Sequence, residues 1–197
     1  MVQLQIWVKN METKKDIRKR VLANRDDIDK KEWEEKSRKI QKQVITHPFF
    51  LESNVIYCYV DYRNEVGTEC IIKKAWESGK QVAVPKVEGK EISFYYISDF
   101  SDLKEGFRQI REPDVQFPAN ENHALVIMPG VAFDKSRNRI GYGKGFYDRF
   151  MDKHPTYRTI ALAFECQMLD EIEADIFDYR PEILITEEHI YDEHFTE

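Results

Sequence analysis

Short apolar runs alternate along this chain with segments in which apolar residues recur at helical spacing. Apolar runs of strand length occupy residues 54–60, 81–87, 91–97, 124–128, 159–164 and 182–186. Helical spacing or a helix-start signal marks residues 12–24, 29–46, 66–78 and 145–154. Strands that alternate with helices are typical of a parallel sheet covered by helices. The pattern predicts an α/β fold, a single three-layer α/β/α domain with a mostly parallel central sheet.

The segment boundaries give one clear helix start and one irregular region. Asp29 and Glu32, three positions apart, form a capping-box-like pair before a helix that runs to about Thr46. Residues 98–122 are rich in charge and contain glycine and prolines, so a loop-rich segment is predicted there. Residues 1–11 precede the pattern, and we expect them to be an N-terminal extension of a domain that spans residues 12–197.

Composition narrows the class of protein. The 197 residues carry a formal net charge of −6, which argues against a general nucleic-acid binder because such proteins have a basic excess. No apolar stretch approaches the roughly 20 residues that a membrane-spanning helix needs. Cys58, Cys70 and Cys166 lack metal-ligand spacing and fit a reducing compartment. We therefore expect a cytoplasmic, monomeric protein whose partners are small molecules.

The segment Pro129–Asp148 carries the clearest chemical signal and reads PGVAFDKSRNRIGYGKGFYD. It follows a predicted strand and precedes a predicted helix. Gly141, Gly143 and Gly145 allow backbone N–H groups to approach an anion, and the helix N-terminus adds a partial positive charge. Lys144 adds a full positive charge. Because ligands bind beyond the carboxyl ends of strands in such sheets, a phosphate site is predicted here.

The glycine spacing alone does not identify the ligand. It matches neither the P-loop nor the dinucleotide-binding pattern. A glycine loop of this kind is also compatible with a tight turn that binds nothing. Asp148 lies just beyond the loop, where a magnesium ion bound to phosphate would need a carboxylate.

The whole segment resembles the signature of the 5-formyltetrahydrofolate cyclo-ligases, also called methenyltetrahydrofolate synthetases. That signature is a strand, Pro-Gly, a small residue, Phe-Asp, a short turn, Arg, an aliphatic residue, Gly-x-Gly-x-Gly, an aromatic residue and Tyr-Asp. The matching residues are Pro129, Gly130, Ala132, Phe133, Asp134, Arg139, Ile140, Gly141, Gly143, Gly145, Phe146, Tyr147 and Asp148. The resemblance is specific because so many fixed positions fall in one short segment, and it extends from about Lys14 to Glu187.

This resemblance implies an ATP- and Mg²⁺-dependent ligase that closes 5-formyltetrahydrofolate to 5,10-methenyltetrahydrofolate. ATP would phosphorylate the formyl oxygen to give an iminium-phosphate intermediate, and ADP and phosphate would be released. Such chemistry needs positioning and charge neutralisation more than a protein nucleophile. The implied ligands are ATP, Mg²⁺ and 5-formyltetrahydrofolate, with or without a polyglutamate tail.

The resemblance also implies roles for individual residues. Those implied to bind ATP are Lys14, Arg18, Lys86, Arg139, Gly141, Tyr142, Gly143, Lys144, Gly145 and Tyr147. Those implied to bind the folate are Val60, Glu65, Phe107, Arg108, Tyr142, Gly143, Lys144, Gly145 and Phe146. Asp148 and Asp178 are the implied magnesium ligands, and Lys144 with Arg18 would offset charge in the transition state.

Considered without the resemblance, several of these residues have plainer interpretations. Lys14 and Arg18 share one helix face, which suits a polyphosphate or a solvated basic surface. Glu65 suits a folate contact or a carboxylate that interacts with a helix dipole. Asp178 suits a metal ligand or a turn residue.

The pocket wall near residue 108 departs from the family pattern. Arg108 stands two places before Ile110, where an aromatic residue often packs on the pterin. Either Phe107 supplies the ring, or Arg108 stacks its guanidinium plane instead.

The turn before the glycine loop is a second departure. Arg137 stands where Gly or Asn is frequent, and a positive φ there would be unfavourable for Arg. We expect Asn138 to adopt that conformation instead. We also expect an internal ion pair between Asp134 and Arg139 to brace the turn.

Two other functions fit a similar frame. A sugar-phosphate isomerase or a CoA-transferase-like enzyme would use the glycine loop for a phosphate, but would need a carboxylate base or nucleophile and no ATP. A non-catalytic homologue would bind folate or nucleotide without turnover. The combination of Lys14, Arg18, Lys144, Asp148 and Asp178 favours the ligase.

Overall fold

The computed structural model describes residues 12–106 and 110–195. The α-helices within these residues are α1 (Lys14–Asp26), α2 (Lys30–Thr46), α3 (Pro48–Glu52), α4 (Glu69–Glu77) and α5 (Phe146–Lys153). The strands are β1 (Val55–Cys58), β2 (Gln81–Glu88), β3 (Glu91–Ile97), β4 (Leu103–Glu105), β5 (Arg111–Pro113), β6 (Leu125–Met128), β7 (Ala132–Asp134), β8 (Arg139–Ile140), β9 (Arg158–Leu162), β10 (Met168–Leu169), β11 (Ile183–Ile185) and β12 (Ile190–Tyr191). Among the helices described, none has both the length and the apolar character needed to cross a membrane.

A seven-stranded sheet forms the centre, in the order β12-β11-β9-β6-β1-β2-β3. The inner strands run parallel, whereas β12 and β3 are antiparallel to their neighbours at the two edges. The chain passes from β1 to β2 on one side and later places β6 on the other side. This reversal of strand order makes the carboxyl ends of β1 and β6 a topological switch point, the usual ligand crevice in such sheets.

Helices cover both faces of the sheet, which confirms the predicted three-layer α/β/α architecture. Alternate side chains of β1 enter opposite cores, because successive residues of a strand point to opposite faces. Ile56 and Cys58 pack in a core that includes residues of α2 and α4. Val55 and Tyr57 pack in the other core, with residues of α5.

A small sheet in the order β10-β7-β8 adjoins the switch point and supports α1. Val21 of α1 is buried in one cluster with Val131, Ala132 and Ile140. Because β8 continues directly into the glycine loop, this packing fixes α1 beside that loop.

The predicted helices and strands are present, with shifts of a few residues at their ends. As the capping pair predicted, Asp29 accepts a hydrogen bond from the backbone N–H of Glu32 at 2.9 Å. The segment predicted as loop-rich contains the β4–β5 ribbon, whose strands have three residues each and are too short to show a period. The expected N-terminal extension, residues 1–11, lies outside the described residues.

The β7–β8 turn corrects two expectations. Arg137, and not Asn138, has the left-handed conformation, with φ of +66°. Asn138 instead donates its backbone N–H and its side-chain amide to the Asp134 carboxylate, both at 2.9 Å. The predicted ion pair of Asp134 with Arg139 is wrong. Asp134 accepts the hydrogen bonds of Asn138 within the turn, whereas Arg139 pairs with Asp148 at 2.5 Å.

We expect Arg137→Gly to stabilise the protein. A left-handed residue with a Cβ is strained, and glycine relieves that strain at some cost in unfolded-state entropy, so the expected net gain is about 0.5–1 kcal/mol. For a chain of this size that gain raises Tm by about 1–4 °C. Thermal unfolding measures it, with Arg137→Lys as the matched control that keeps the Cβ and should leave Tm unchanged. A lower Tm for Arg137→Gly would mean that contacts of the Arg137 side chain outweigh the strain.

Candidate active site

Separate parts of the chain converge beyond the carboxyl ends of β1 and β6. The segment after β1 contributes Glu65, and the segment after β8 contributes the glycine loop, residues 141–145. Helix α1 and the turn around Asp178 reach the same place through hydrogen bonds to the loop and to each other. The switch point thus collects most of the charged residues that the sequence predicted for a ligand site, among them Lys14, Arg18 and Asp178.

The glycine loop has left-handed backbone at two of its glycines and ends at the N-terminus of a helix. Gly143 and Gly145 have φ of +87° and +64°, conformations that residues with a Cβ rarely adopt. Gly145 is the N-cap of α5 and supplies no side-chain cap. The positive end of the α5 dipole is therefore directed at the loop, and an anion there would be stabilised. The Lys144 side chain is exposed at the same end.

Two basic residues of α1 reach this loop region from one helix face. Arg18 donates from Nε to the carbonyl oxygen of Gly141 at 2.7 Å. Its guanidinium lies against Gly143, where a Cβ would approach its Cζ to 3.4 Å. Lys14, one turn earlier, pairs with Asp178 at 2.5 Å. The shared helix face of Lys14 and Arg18 is directed at the site and is not only a solvated basic surface.

The two predicted magnesium ligands lie beside each other. Oδ1 of Asp148 accepts hydrogen bonds from Arg139 at 2.5 Å and from the backbone N–H of Tyr179 at 3.1 Å. Tyr179 follows Asp178 directly, so one backbone contact joins the two acidic residues. Partial burial by itself would raise the pKa of Asp178, but hydrogen bonds from Lys14 and the N–H of Asp175 hold that pKa below its usual value.

Glu65 places a buried carboxylate beside the glycine loop, in contact with Tyr142. Glu65 is 7% exposed, and its Oε2 accepts a hydrogen bond from the backbone N–H of Tyr62 at 2.9 Å. The Trp33 indole fixes its backbone by donating to its carbonyl oxygen at 2.7 Å. Burial raises the pKa of Glu65, an effect that its contacts with Tyr142 and Arg25 partly offset. Tyr142 donates from its hydroxyl to Glu65 and accepts from Arg25 at 3.0 Å.

Sequence reasoning missed Arg25. It is 2% exposed and lies in the last turn of α1. A signal was available in the spacing, because Lys14, Arg18, Val21 and Arg25 follow each other at intervals of four, three and four along one helix face. Because Val21 is apolar and Arg25 lies one turn further along the same face, Arg25 was a candidate for burial.

The remaining predicted residues are distributed as follows. Val60 is buried beyond the end of β1, and the Tyr147 hydroxyl is buried without a hydrogen-bond partner among the described residues. Phe146 begins α5, where the Arg149 guanidinium lies 5.7 Å from its ring centre.

The Lys86 ammonium lies 5.6 Å from the ring centre of Tyr95 on β3, so its described contact is with the sheet edge and not with the glycine loop. Phe107 and Arg108, with the question of which forms the pterin wall, lie outside the described residues.

Comparisons with known proteins identify the family to which this chain belongs. The model of the 5-formyltetrahydrofolate cyclo-ligase family matches residues 10–187. A probable 5-formyltetrahydrofolate cyclo-ligase of Caenorhabditis elegans is 28% identical over 177 residues, covering 82% of this chain and 86% of that protein. The 5-formyltetrahydrofolate cyclo-ligase of Escherichia coli K12 is 25% identical over 159 residues, covering 76% of this chain and 87% of that protein.

A solved structure extends the likeness to the whole fold. The NMR structure of 5,10-methenyltetrahydrofolate synthetase from Aquifex aeolicus superimposes with a TM-score of 0.82 at 28% identity, covering 93% of this chain and 94% of that one. Since the family model spans most of the sequence, the chain belongs to the 5-formyltetrahydrofolate cyclo-ligase family.

Proposed function

We propose that this protein closes 5-formyltetrahydrofolate to 5,10-methenyltetrahydrofolate at the expense of ATP, with Mg²⁺ as the metal. The supporting observation is the convergence at the switch point of a basic helix face, an open glycine loop, two adjacent aspartates and a buried carboxylate. The first three suit a magnesium-bound polyphosphate, and the last suits a neutral heterocycle with N–H donors.

The two aspartates fit a magnesium ion by their donor chemistry. Magnesium prefers oxygen ligands and is usually held by one or two carboxylates together with substrate phosphates and water. Among the contacts of the described residues, Oδ2 of Asp148 and Oδ1 of Asp178 have no hydrogen bond, so each aspartate keeps one oxygen for a cation. When bound, the ion would neutralise phosphate charge during phosphoryl transfer.

The basic residues would receive the phosphates. The open N-terminus of α5 and the loop amides would bind one phosphate group, and the exposed Lys144 can reach its oxygens. Lys14 now neutralises Asp178, and on binding of ATP it would exchange that carboxylate for a phosphate oxygen. Arg18 would hold the loop through Gly141 and direct its remaining guanidinium N–H groups to the nucleotide.

The reaction follows from charge neutralisation by these groups. The formyl oxygen attacks the γ-phosphorus, ADP leaves, and N5 becomes part of an iminium phosphate. The 10-nitrogen then attacks the formyl carbon, loses its proton, and phosphate departs with the former formyl oxygen. Lys144 and Arg18 would stabilise the charge on the transferred phosphoryl group, an electrostatic role that is effective in a preorganised site.

Glu65 suits the folate side of the site. Its carboxylate is held between the Tyr62 N–H and the Tyr142 hydroxyl, and it can accept hydrogen bonds from the N–H groups of a pterin ring. Its position beyond β1, facing the glycine loop beyond β8, would place the formyl group between the pterin wall and the phosphates.

The direct test mixes the purified protein with 5-formyltetrahydrofolate, ATP and MgCl₂ and records the absorbance of the methenyl product. We expect product formation that requires both ATP and magnesium and that stops when EDTA is added. Folate binding by calorimetry without product formation would instead favour a non-catalytic binding protein. Thermal protection by sugar phosphates but not by ATP with magnesium would favour an isomerase-like enzyme.

A further inference from the structure

A tyrosine hydroxyl occupies a position between two buried groups of opposite charge. The Tyr142 hydroxyl accepts from Nη1 of Arg25 at 3.0 Å and donates to Oε1 of Glu65. Arg25 is 2% exposed and Glu65 is 7% exposed, whereas Tyr142, which bridges them, is 47% exposed. The cation and the carboxylate are therefore covered by a side chain that itself faces solvent.

This bridge leaves hydrogen-bonding capacity unused. Nε of Arg25 and the hydroxyl of Tyr147 are buried without a partner in the part of the chain that the structure describes. Burying polar atoms without partners is unfavourable, and such atoms in a native structure are often completed by a ligand or water. Burial and the nearby Glu65 carboxylate raise the pKa of Tyr142, so its hydroxyl keeps the proton that it donates.

The chemistry of the position defines what can replace the hydroxyl. Arg25 offers a donor and Glu65 offers an acceptor, so the complementary ligand edge has a carbonyl oxygen beside an N–H group. A cyclic amide has this edge, and the pyrimidinone ring of a pterin contains one. The Tyr142 hydroxyl accepts from Arg25 and donates to Glu65, so it makes the same two kinds of hydrogen bond that a cyclic amide edge would make.

Displacement of Tyr142 requires only local movement. Its neighbours are Gly141 and Gly143, and glycine permits backbone rotations that other residues resist. Tyr142 is about half exposed and belongs to none of the hydrophobic clusters of the described residues, so its departure from the bridge would open Arg25 and Glu65 to a ligand without unpacking a core.

We propose that Tyr142 is a displaceable occupant of the pterin subsite and that Arg25 binds the pterin carbonyl oxygen once Tyr142 has moved away. The identity of the ligand rests on the proposed function. Arg25 is then a binding residue of the folate side, and Tyr142 competes with the folate for it.

Calorimetric titration with 5-formyltetrahydrofolate in the absence of ATP tests this competition. Tyr142→Phe removes the competing hydroxyl, and we expect the folate Kd to fall by at least about tenfold, since a hydrogen bond to charged groups no longer has to be broken. Arg25→Met removes the donor to the carbonyl oxygen, and we expect the Kd to rise by at least about tenfold. Arg25→Met should not alter the KM for ATP.

Arg20→Met is the matched control, because Arg20 lies on the same helix and pairs with Glu12 in an exposed contact. Its folate Kd should equal that of the wild type. If Arg25→Met does not fold, as judged by circular dichroism, Tyr142→Phe decides the question alone.

The other outcomes are distinct. Equal or weaker folate binding by Tyr142→Phe overturns this inference while leaving the proposed function intact. A change in the KM for ATP instead of the folate Kd assigns the bridge to the adenine and also overturns it. A wild-type protein that binds no 5-formyltetrahydrofolate overturns the proposed function and this inference together.

Discussion

Lys144→Ala is expected to lower turnover by about a hundredfold, the usual loss when one preorganised group that stabilises transition-state charge is removed. Lys144 lies between two glycines at the open N-terminus of α5. Lys144 carries a full positive charge on the loop. Its flexible side chain can keep the ammonium close to the phosphoryl group as negative charge develops there. The effect should appear mainly in kcat, because the loop amides and the basic face of α1 would still bind the ground-state phosphates.

The fold should be insensitive to this substitution, since the Lys144 side chain is exposed. Turnover is measured by formation of the methenyl product, and Tm by thermal unfolding. Lys39→Ala, an exposed lysine of α2 away from the site, is the control and should retain full activity. Wild-type turnover by Lys144→Ala would remove Lys144 from the catalytic role and leave the loop with backbone binding alone.

Asp148→Asn is expected to have two effects, because Asp148 serves both a buried arginine and the proposed metal. Arg139 is 5% exposed and pairs with Asp148 at 2.5 Å. Loss of the negative charge weakens that contact, and the expected destabilisation is about 1.5–3 kcal/mol, the range for hydrogen bonds to charged groups. Loss of a metal ligand should also raise the magnesium concentration for half-maximal activity by at least about tenfold.

The loss of stability is measured by thermal unfolding, and the loss of magnesium affinity is measured at a low temperature. Magnesium titrations are done well below the melting temperature of the variant, so that the folded fraction stays constant. Asp152→Asn, an exposed residue one turn further along α5, is the matched control and should change neither Tm nor the titration. A lower Tm with an unchanged magnesium titration would show that Asp148 only supports Arg139.

The ion pairs of the site explain how these charges coexist before ligands bind. Lys14 with Asp178 and Arg139 with Asp148 bring each proposed magnesium ligand against a cation. An isolated charge in a partly buried site is costly, whereas a paired one is tolerated. On binding of ATP with magnesium, Lys14 would contact a phosphate oxygen and Asp178 would contact the magnesium ion. Each charge would therefore keep a partner of opposite sign.

Several features of the site were predictable because they depend on residues close together in the sequence. The glycine loop follows from a strand, three glycines and a helix start within one segment, and its positive φ angles follow from those glycines. The common face of Lys14 and Arg18 follows from a spacing of four residues on a helix. The capping of α2 by Asp29 is likewise local.

The incorrect predictions concern side chains whose hydrogen-bond or ion-pair partner is distant in the sequence, or side chains that have more than one possible partner. Arg139 was expected to pair with Asp134, five residues away, but Asp134 is occupied by Asn138 and by the N–H of Ile172. Arg139 therefore turns to Asp148 on the next helix. Competition of this kind depends on the positions of all candidate partners, which neighbouring residues alone do not specify.

The sequence by itself determined the layered α/β fold, the glycine loop and the family, because periodicity and a dense local motif require no knowledge of distant contacts. Only the tertiary structure decided which charges meet. It joined Lys14 to Asp178 across 164 positions and Arg25 to Tyr142 across 117. The physical reason is that α1 is fixed against β7 and β8 by apolar packing around Val21, and this packing sets the distant partners of Lys14, Arg18 and Arg25.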